Sequence, residues 1–161
     1  ILPPSPSPKP PSMIETNPLP APPAHVVIHT NVLLDWLVFR NPDTDPLASA
    51  LSSGRLQWLA TTTMKDEWER VLTYETVSAR NPDREFITSA WDRHARLVDM
   101  ASRAPMRCGD PDDQKFIDLA VSARAKWLFT KDRELLKLAK RALPWGVTVL
   151  SPANWAGAAQ Q

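Results

Sequence analysis

A single cysteine, Cys108, stands in the 161 residues. An internal disulfide framework is therefore excluded, and the thiol content fits a reducing, cytoplasmic compartment. One cysteine and three scattered histidines do not make the spacing of a structural zinc site. The charges nearly cancel, 19 basic against 18 acidic residues for a net +1, so no global basic field announces a nucleic-acid partner. No apolar run approaches the roughly 18 residues of a membrane span. The N-terminus lacks a signal-peptide pattern, and Met13 is a candidate for the natural start. Internal repeats are absent. What remains is enough chain for one domain with a substantial core.

Proline is unevenly spread. Ten of the 17 prolines fall in residues 1–24, with serine and few apolar groups. This composition predicts a polyproline-like or disordered tail followed by a domain over 25–157. Pro8 to Pro11 gives a Pro-x-x-Pro pattern, which suits either a plain spacer or a ligand for a proline-reading domain.

From His25 onward, short apolar runs alternate with helical patterns. Strands are expected at His25–His29, Leu56–Ala60, Lys126–Thr130 and Gly146–Leu150, where β-branched and aromatic residues gather. Thr30 or Asn31 can cap a helix from Val32, and Thr61 to Thr63 can cap the next, whose stripe is Met64, Trp68, Val71 and Leu72. A short helix is expected over Pro46–Ser53. The longest should run from Asp83 to Ser102, with Ile87, Ala90, Trp91, His94, Leu97, Val98 and Ala101 on one face. His94 then reads as a satisfied core or interface histidine rather than a ligand. Another helix spans Arg133–Leu143, and Ser151–Trp155 is a closing turn. The alternation implies a three-layer α/β/α fold around a central parallel sheet.

The densest stretch chemically is Cys108–Asp132. Pro111 suits a turn before a helix, and Asp112 and Asp113 fall in its first turn, where the helix dipole favours negative charge. Phe116, Ile117, Ala120 and Ala123 mark a buried face, and Asp113 points the same way. Asp132 follows the next strand at its carboxyl end, the edge where open α/β sheets place ligands. Each acid also has a plain structural role, as a cap or a dipole partner. Convergence favours more, because a core-facing carboxylate is costly unless it is paired or metal-bound. His29 and Asp132 end parallel strands, while Glu67 and Asp113 sit on helices that can lean over them, with Asp110 nearby. Glu67 alone reads equally as a solvated flank residue. Oxygen-rich clusters of this kind suit Mg²⁺ or Mn²⁺, and such ions support phosphodiester cleavage. Arg107, Lys131 and Arg133 flank the acids and either grip phosphates or stay solvated. Trp145 and Trp155 either stack a base or cap the core.

Four segments together resemble the PIN-domain ribonucleases, especially the bacterial toxin-like branch. They are Val26-Val-Ile-His29-Thr-Asn-Val-Leu-Leu34, Glu67-Trp-Glu-Arg-Val-Leu72, Cys108-Gly-Asp-Pro-Asp-Asp113 with Phe116 and Ala120, and Leu128-Phe-Thr-Lys-Asp132 with Leu135 and Leu136. The resemblance covers about His25 to Trp155. It implies a Mg²⁺- or Mn²⁺-dependent endoribonuclease, often the toxin of a toxin–antitoxin pair and often a homodimer. It also implies metal-site roles for Glu67, Asp113 and Asp132, with Asp110 auxiliary, and substrate or orienting roles for Asn31 and Thr130. The family carries aspartate where this chain has His29. That exchange removes a negative charge and two oxygen acceptors and offers a nitrogen that prefers softer metals. Surrounding carboxylates would favour its protonated form, which cannot bind a cation. The chain is thus expected to be an inactive or weakened nuclease, with a non-catalytic module binding RNA or a protein as the alternative.

Overall fold

Why the chain makes a sheet is plainest at its centre. Val26, Val27 and Ile28 are wholly buried, as a β-branched run covered on both faces must be. They belong to β1 (Ala24–Ile28) in a computed structural model that describes residues 21–159. The expectations for the proline-rich segment therefore lie almost entirely outside the described residues.

β1 pairs in parallel with β2 (Leu56–Ala60) on one side and β4 (Trp127–Phe129) on the other. β3 (Ala95–Leu97) extends the β2 side and β5 (Thr148–Leu150) the β4 side. The order is β3-β2-β1-β4-β5, all parallel, with helices on both faces, so the expected α/β/α architecture is present. Parallel register requires a crossover between neighbouring strands, and the helices supply it.

In chain order the helices are α1 (Thr30–Leu37), α2 (Asp45–Ser52), α3 (Thr62–Val71), α4 (Glu75–Ser78), α5 (Arg84–His94), α6 (Gln114–Ser122), α7 (Arg133–Leu136), α8 (Ala139–Ala142) and α9 (Pro152–Ala159). Capping follows the sequence in several places. The Thr61 hydroxyl accepts from the Met64 amide at 3.3 Å, and the Asp83 carboxylate from Phe86 at 3.1 Å. Both satisfy amides that a helix start leaves orphaned.

Four expectations are corrected. The helix expected over Asp83–Ser102 ends at His94. Its carbonyl accepts a hydrogen bond from the Gln57 amide at 2.9 Å, and the chain turns extended at Ala95. The open edge of β2 then captures Ala95–Leu97, a pairing in space that helical periodicity cannot foresee. The Arg133–Leu143 helix is broken into α7 and α8. α1 begins at Thr30 rather than Val32, with His29 at its cap position and no side-chain cap bond. The closing segment after Ser151 is the helix α9, not a turn.

Aromatic residues hold the layers together. Trp58 lies 4.3 Å from Trp91 and 5.8 Å from Trp36 between ring centroids. Trp155 meets Phe129 edge to face at 5.5 Å and is buried, so it caps the core, whereas Trp145 is exposed. Leu33, Trp36 and Leu37 are covered within the single chain, while Leu97 and Met100 stay exposed.

Candidate metal and nuclease site

The carboxyl end of β1 delivers His29. Its amide donates to the Phe129 carbonyl of β4 at 2.9 Å, which extends the sheet ladder by one residue and sends the side chain into the crevice above. Thr130, fully buried, follows β4 on the neighbouring strand end. Asp113 arrives from the other direction, at the end of the 3₁₀ turn Pro111–Asp113 that leads into α6. Asp132 caps α7, its carboxylate accepting from the Glu134 amide at 2.7 Å.

These side chains form one connected network. The Asp132 amide donates to the Thr130 hydroxyl oxygen at 3.0 Å. Thr130 Oγ1 lies 2.9 Å from His29 Nδ1, and His29 Nε2 lies 3.0 Å from Asp113 Oδ1. An ionised carboxylate can only accept, so Nε2 carries the proton in this bond. Nδ1 accepts from the Thr130 hydroxyl when the ring is neutral and donates to it when the ring is protonated. Phe116 closes the floor, edge on to the imidazole at 4.7 Å.

Burial pushes the Asp113 carboxyl up. The hydrogen bond and charge of His29 oppose this, with help from Asp132 and the Lys115 ammonium, and the net result lies below the ordinary carboxylate value. Burial instead dominates at Cys108 and raises its thiol, which makes it a poor nucleophile.

Ligand atoms of His29, Asp113 and Asp132 all lie within 4.8 Å of one another. Glu67 is held separately. One of its oxygens accepts from the Thr30 hydroxyl at 2.8 Å, and the other pairs with Lys115. Asp110 accepts from the Asp112 amide at 3.0 Å and shapes the turn. Lys131 pairs with Asp35, and Arg133 and Arg107 are exposed. Asn31 Oδ1 is buried without a hydrogen-bond partner among the described residues.

Two residues escaped the sequence reading. Lys115 neutralises Glu67, and Asp35 is a buried acid on α1 that anchors Lys131. Asp35 had a signal, a carboxylate set among Leu33, Leu34, Trp36 and Leu37. Lys115 had none, since its partner lies on another helix.

A parallel α/β domain with acids gathered at the carboxyl edge of its sheet has an oxygen-rich site of the kind that suits a hard divalent cation. The family model for the PIN domain matches residues 25–134. The chain therefore belongs to the PIN-domain family, whose members are usually nucleases that use divalent metals. No curated protein matches the chain.

Proposed function

We propose that the protein is a metal-dependent endoribonuclease of the PIN type, weakened in this chain by His29. The observation that carries the reading is the approach of His29, Asp113 and Asp132 ligand atoms to within 4.8 Å at the carboxyl edge of the sheet. The donor set fits a divalent ion in kind, two carboxylates with one nitrogen where the family has oxygen. Mg²⁺ or Mn²⁺, when bound, supplies an activated water and charge for the leaving oxygen. Asp113 and Asp132 would hold the ion, with Asp110 beside them, and Glu67 would join on release from Lys115. The orphaned oxygen of Asn31 offers a further polar contact to ion or substrate. Thr130 orients His29. Lys131 and Arg133 would meet RNA phosphates.

His29 is the weak point. While Nε2 donates to Asp113, its lone pair is not available to a cation. Ligation requires that proton to leave and Nδ1–H to turn toward Thr130, the usual arrangement around a metal-bound histidine.

By the same reading the protein is the toxin of a bacterial toxin–antitoxin pair. It works in the cytoplasm as a homodimer that an antitoxin protein restrains, and its functional unit is 25–157. Exposed Leu97 and Met100 offer apolar surface for such contacts. Light scattering that shows only monomer at high micromolar concentration would remove the homodimer.

One observation favours a second reading, a non-catalytic module that binds RNA or a protein. Glu67 and Asp35 already have Lys115 and Lys131 as ion-pair partners and Asp113 has a hydrogen bond from His29, so these acids have partners without metal. The two readings separate in a nuclease assay with Mn²⁺ on single-stranded and structured RNA. The His29→Asp form should bind the ion more tightly and cleave faster than the parent, and adding Asp113→Asn should abolish cleavage. If His29→Asp neither binds metal nor cuts, or if cutting survives Asp113→Asn, the binding-module reading takes over.

A further inference from the structure

A cavity of about 350 Å³ opens between α1, α2 and α5. It lies at the opposite edge of the sheet from the crevice. His94 lines it and ends α5 beside Gln57, at the amino-terminal end of β2. Its lining combines Arg40, Arg93 and His94 with Asp45 and with the aromatic rings of Trp36 and Phe86. Two guanidiniums against one carboxylate leave a local excess of positive charge.

Arg40 is held there at some conformational cost. It has φ of +54°, a left-handed conformation that side chains rarely adopt. Two bonds of its neighbours lock the turn, Phe39 amide to Leu34 carbonyl at 2.9 Å and Asn41 amide to Asp35 carbonyl at 2.7 Å. The guanidinium stacks on the Phe86 ring, 4.0 Å from its centroid. Stacking uses the flat face of the guanidinium and leaves its edge N–H groups free to grip an anion in a fork. Neither Arg40 nor Arg93 is in an ion pair among the described residues.

We propose that this cavity binds a mononucleotide, with the phosphate on Arg40 and Arg93 and the base against the Arg40–Phe86 stack. Asp45 stands across the cavity as an acceptor for ribose hydroxyls. The volume is at the small end of the range of ligand pockets, about 300–1,000 Å³, which suits one nucleotide and not an oligonucleotide. His94 lines the cavity mainly as a neutral ring, and so serves as a reporter of binding rather than as a charge. Burial and then the neighbouring Arg93 charge lower its pKa, and Arg40 and Asp45 are the other charged groups lining the space. The proposal is independent of the crevice and its metal.

The test uses the full chain with EDTA present, so that the crevice stays metal-free. Adenosine monophosphate, adenosine and inorganic phosphate are titrated separately by calorimetry, and the three histidine imidazoles are followed by NMR. Adenosine monophosphate should bind at least about tenfold tighter than either fragment, because only it engages both the arginines and the aromatic stack. The His94 resonances should move and those of His29 should not. Arg93→Gln and Arg40→Gln should each weaken binding about tenfold, the loss expected for one charge-assisted contact. Arg93 is exposed, so its variant keeps the parent melting temperature. The proposal fails if adenosine monophosphate does not bind, if phosphate alone binds as tightly, if His29 responds instead of His94, or if Arg93→Gln binds like the parent.

Discussion

Replacing His29 by aspartate should make the metal-free protein markedly less stable and make its stability depend on divalent metal. In the parent, Nε2 of His29 donates to Asp113 at 3.0 Å in a nearly closed environment. His29→Asp removes that donor and sets a third carboxylate among Asp113 and Asp132, whose ligand atoms lie within 4.8 Å of one another and of the imidazole. Two unit charges at such a separation repel by roughly 3.5 kcal/mol at an effective dielectric constant of about 20. Proton uptake by one acid and solvent entry relieve part of this, so a net loss of about 3 kcal/mol is expected near neutral pH. For a chain of this size that lowers Tm by about 9 °C, at roughly 3 °C per kcal/mol. Saturating Mn²⁺ should restore most of it, since a ligand at a hundred times its Kd contributes about 2.7 kcal/mol. The parent should gain far less from the same ion. The assay is thermal unfolding followed by circular dichroism, parent and variant side by side, with EDTA or Mn²⁺. If His29→Asp in EDTA is as stable as the parent, the carboxylates do not converge. If Mn²⁺ stabilises both forms equally, His29 does not compete with the ion.

Three further outcomes follow from the same geometry. The Asp113 carboxyl titrates below its ordinary value when folded, so its contribution to stability is full above the unfolded pKa of about 3.9 and is lost as pH falls through the lower folded value; urea midpoints measured from pH 5 downward should fall less steeply for Asp113→Asn than for the parent. Thr130→Val keeps the shape of a fully buried side chain but strips partners from His29 Nδ1 and the Asp132 amide, at about 2 kcal/mol in denaturant unfolding; an unchanged midpoint would mean that the network contributes nothing. Gly146 has φ of +84° with open space around it, so Gly146→Ala should cost about 1 kcal/mol through backbone strain alone, leaving metal binding untouched.

Legibility in the sequence followed the range of the forces involved. β1 could be placed because Val26–Ile28 is β-branched and buried on both faces, a pattern written in three adjacent residues. The caps at Thr61 and Asp83 are equally local. The end of α5 at His94 depends on Gln57, 37 positions away, and on the free edge of β2, so the helical period ran on through residues that pair as a strand. The site divides in the same manner. Asp113, Asp132 and Glu67 could all be directed to one sheet edge by topology alone. A helix position says which way a carboxylate leaves the backbone and nothing about what it meets. Glu67 meets Thr30 and Lys115.

Those pairings bear on how a polyanion would approach the crevice. An acidic cluster without metal repels RNA, so ion binding has to precede substrate binding. Here Lys115 sits on Glu67, Lys131 on Asp35 and His29 on Asp113, and Asp132 is the acid of this group in no ion pair among the described residues. On the proposed reading, RNA phosphates would therefore meet lysines that already screen the acids, and encounter would not have to wait for the ion. Catalysis would gain nothing from this arrangement, because Lys115 occupies Glu67 and His29 occupies Asp113, two carboxylates that an ion would need. Of the three, His29 alone lies within the group of possible ligand atoms and is itself a possible ligand. Lys115 and Lys131 can swing away on flexible stems at little cost. The imidazole is fixed between Thr130, Asp113 and Phe116 and cannot leave. On the proposed nuclease reading, the balance between binding RNA and cutting it would rest on one rigid ring, and an exchange at His29 should shift it further than any change to the lysines.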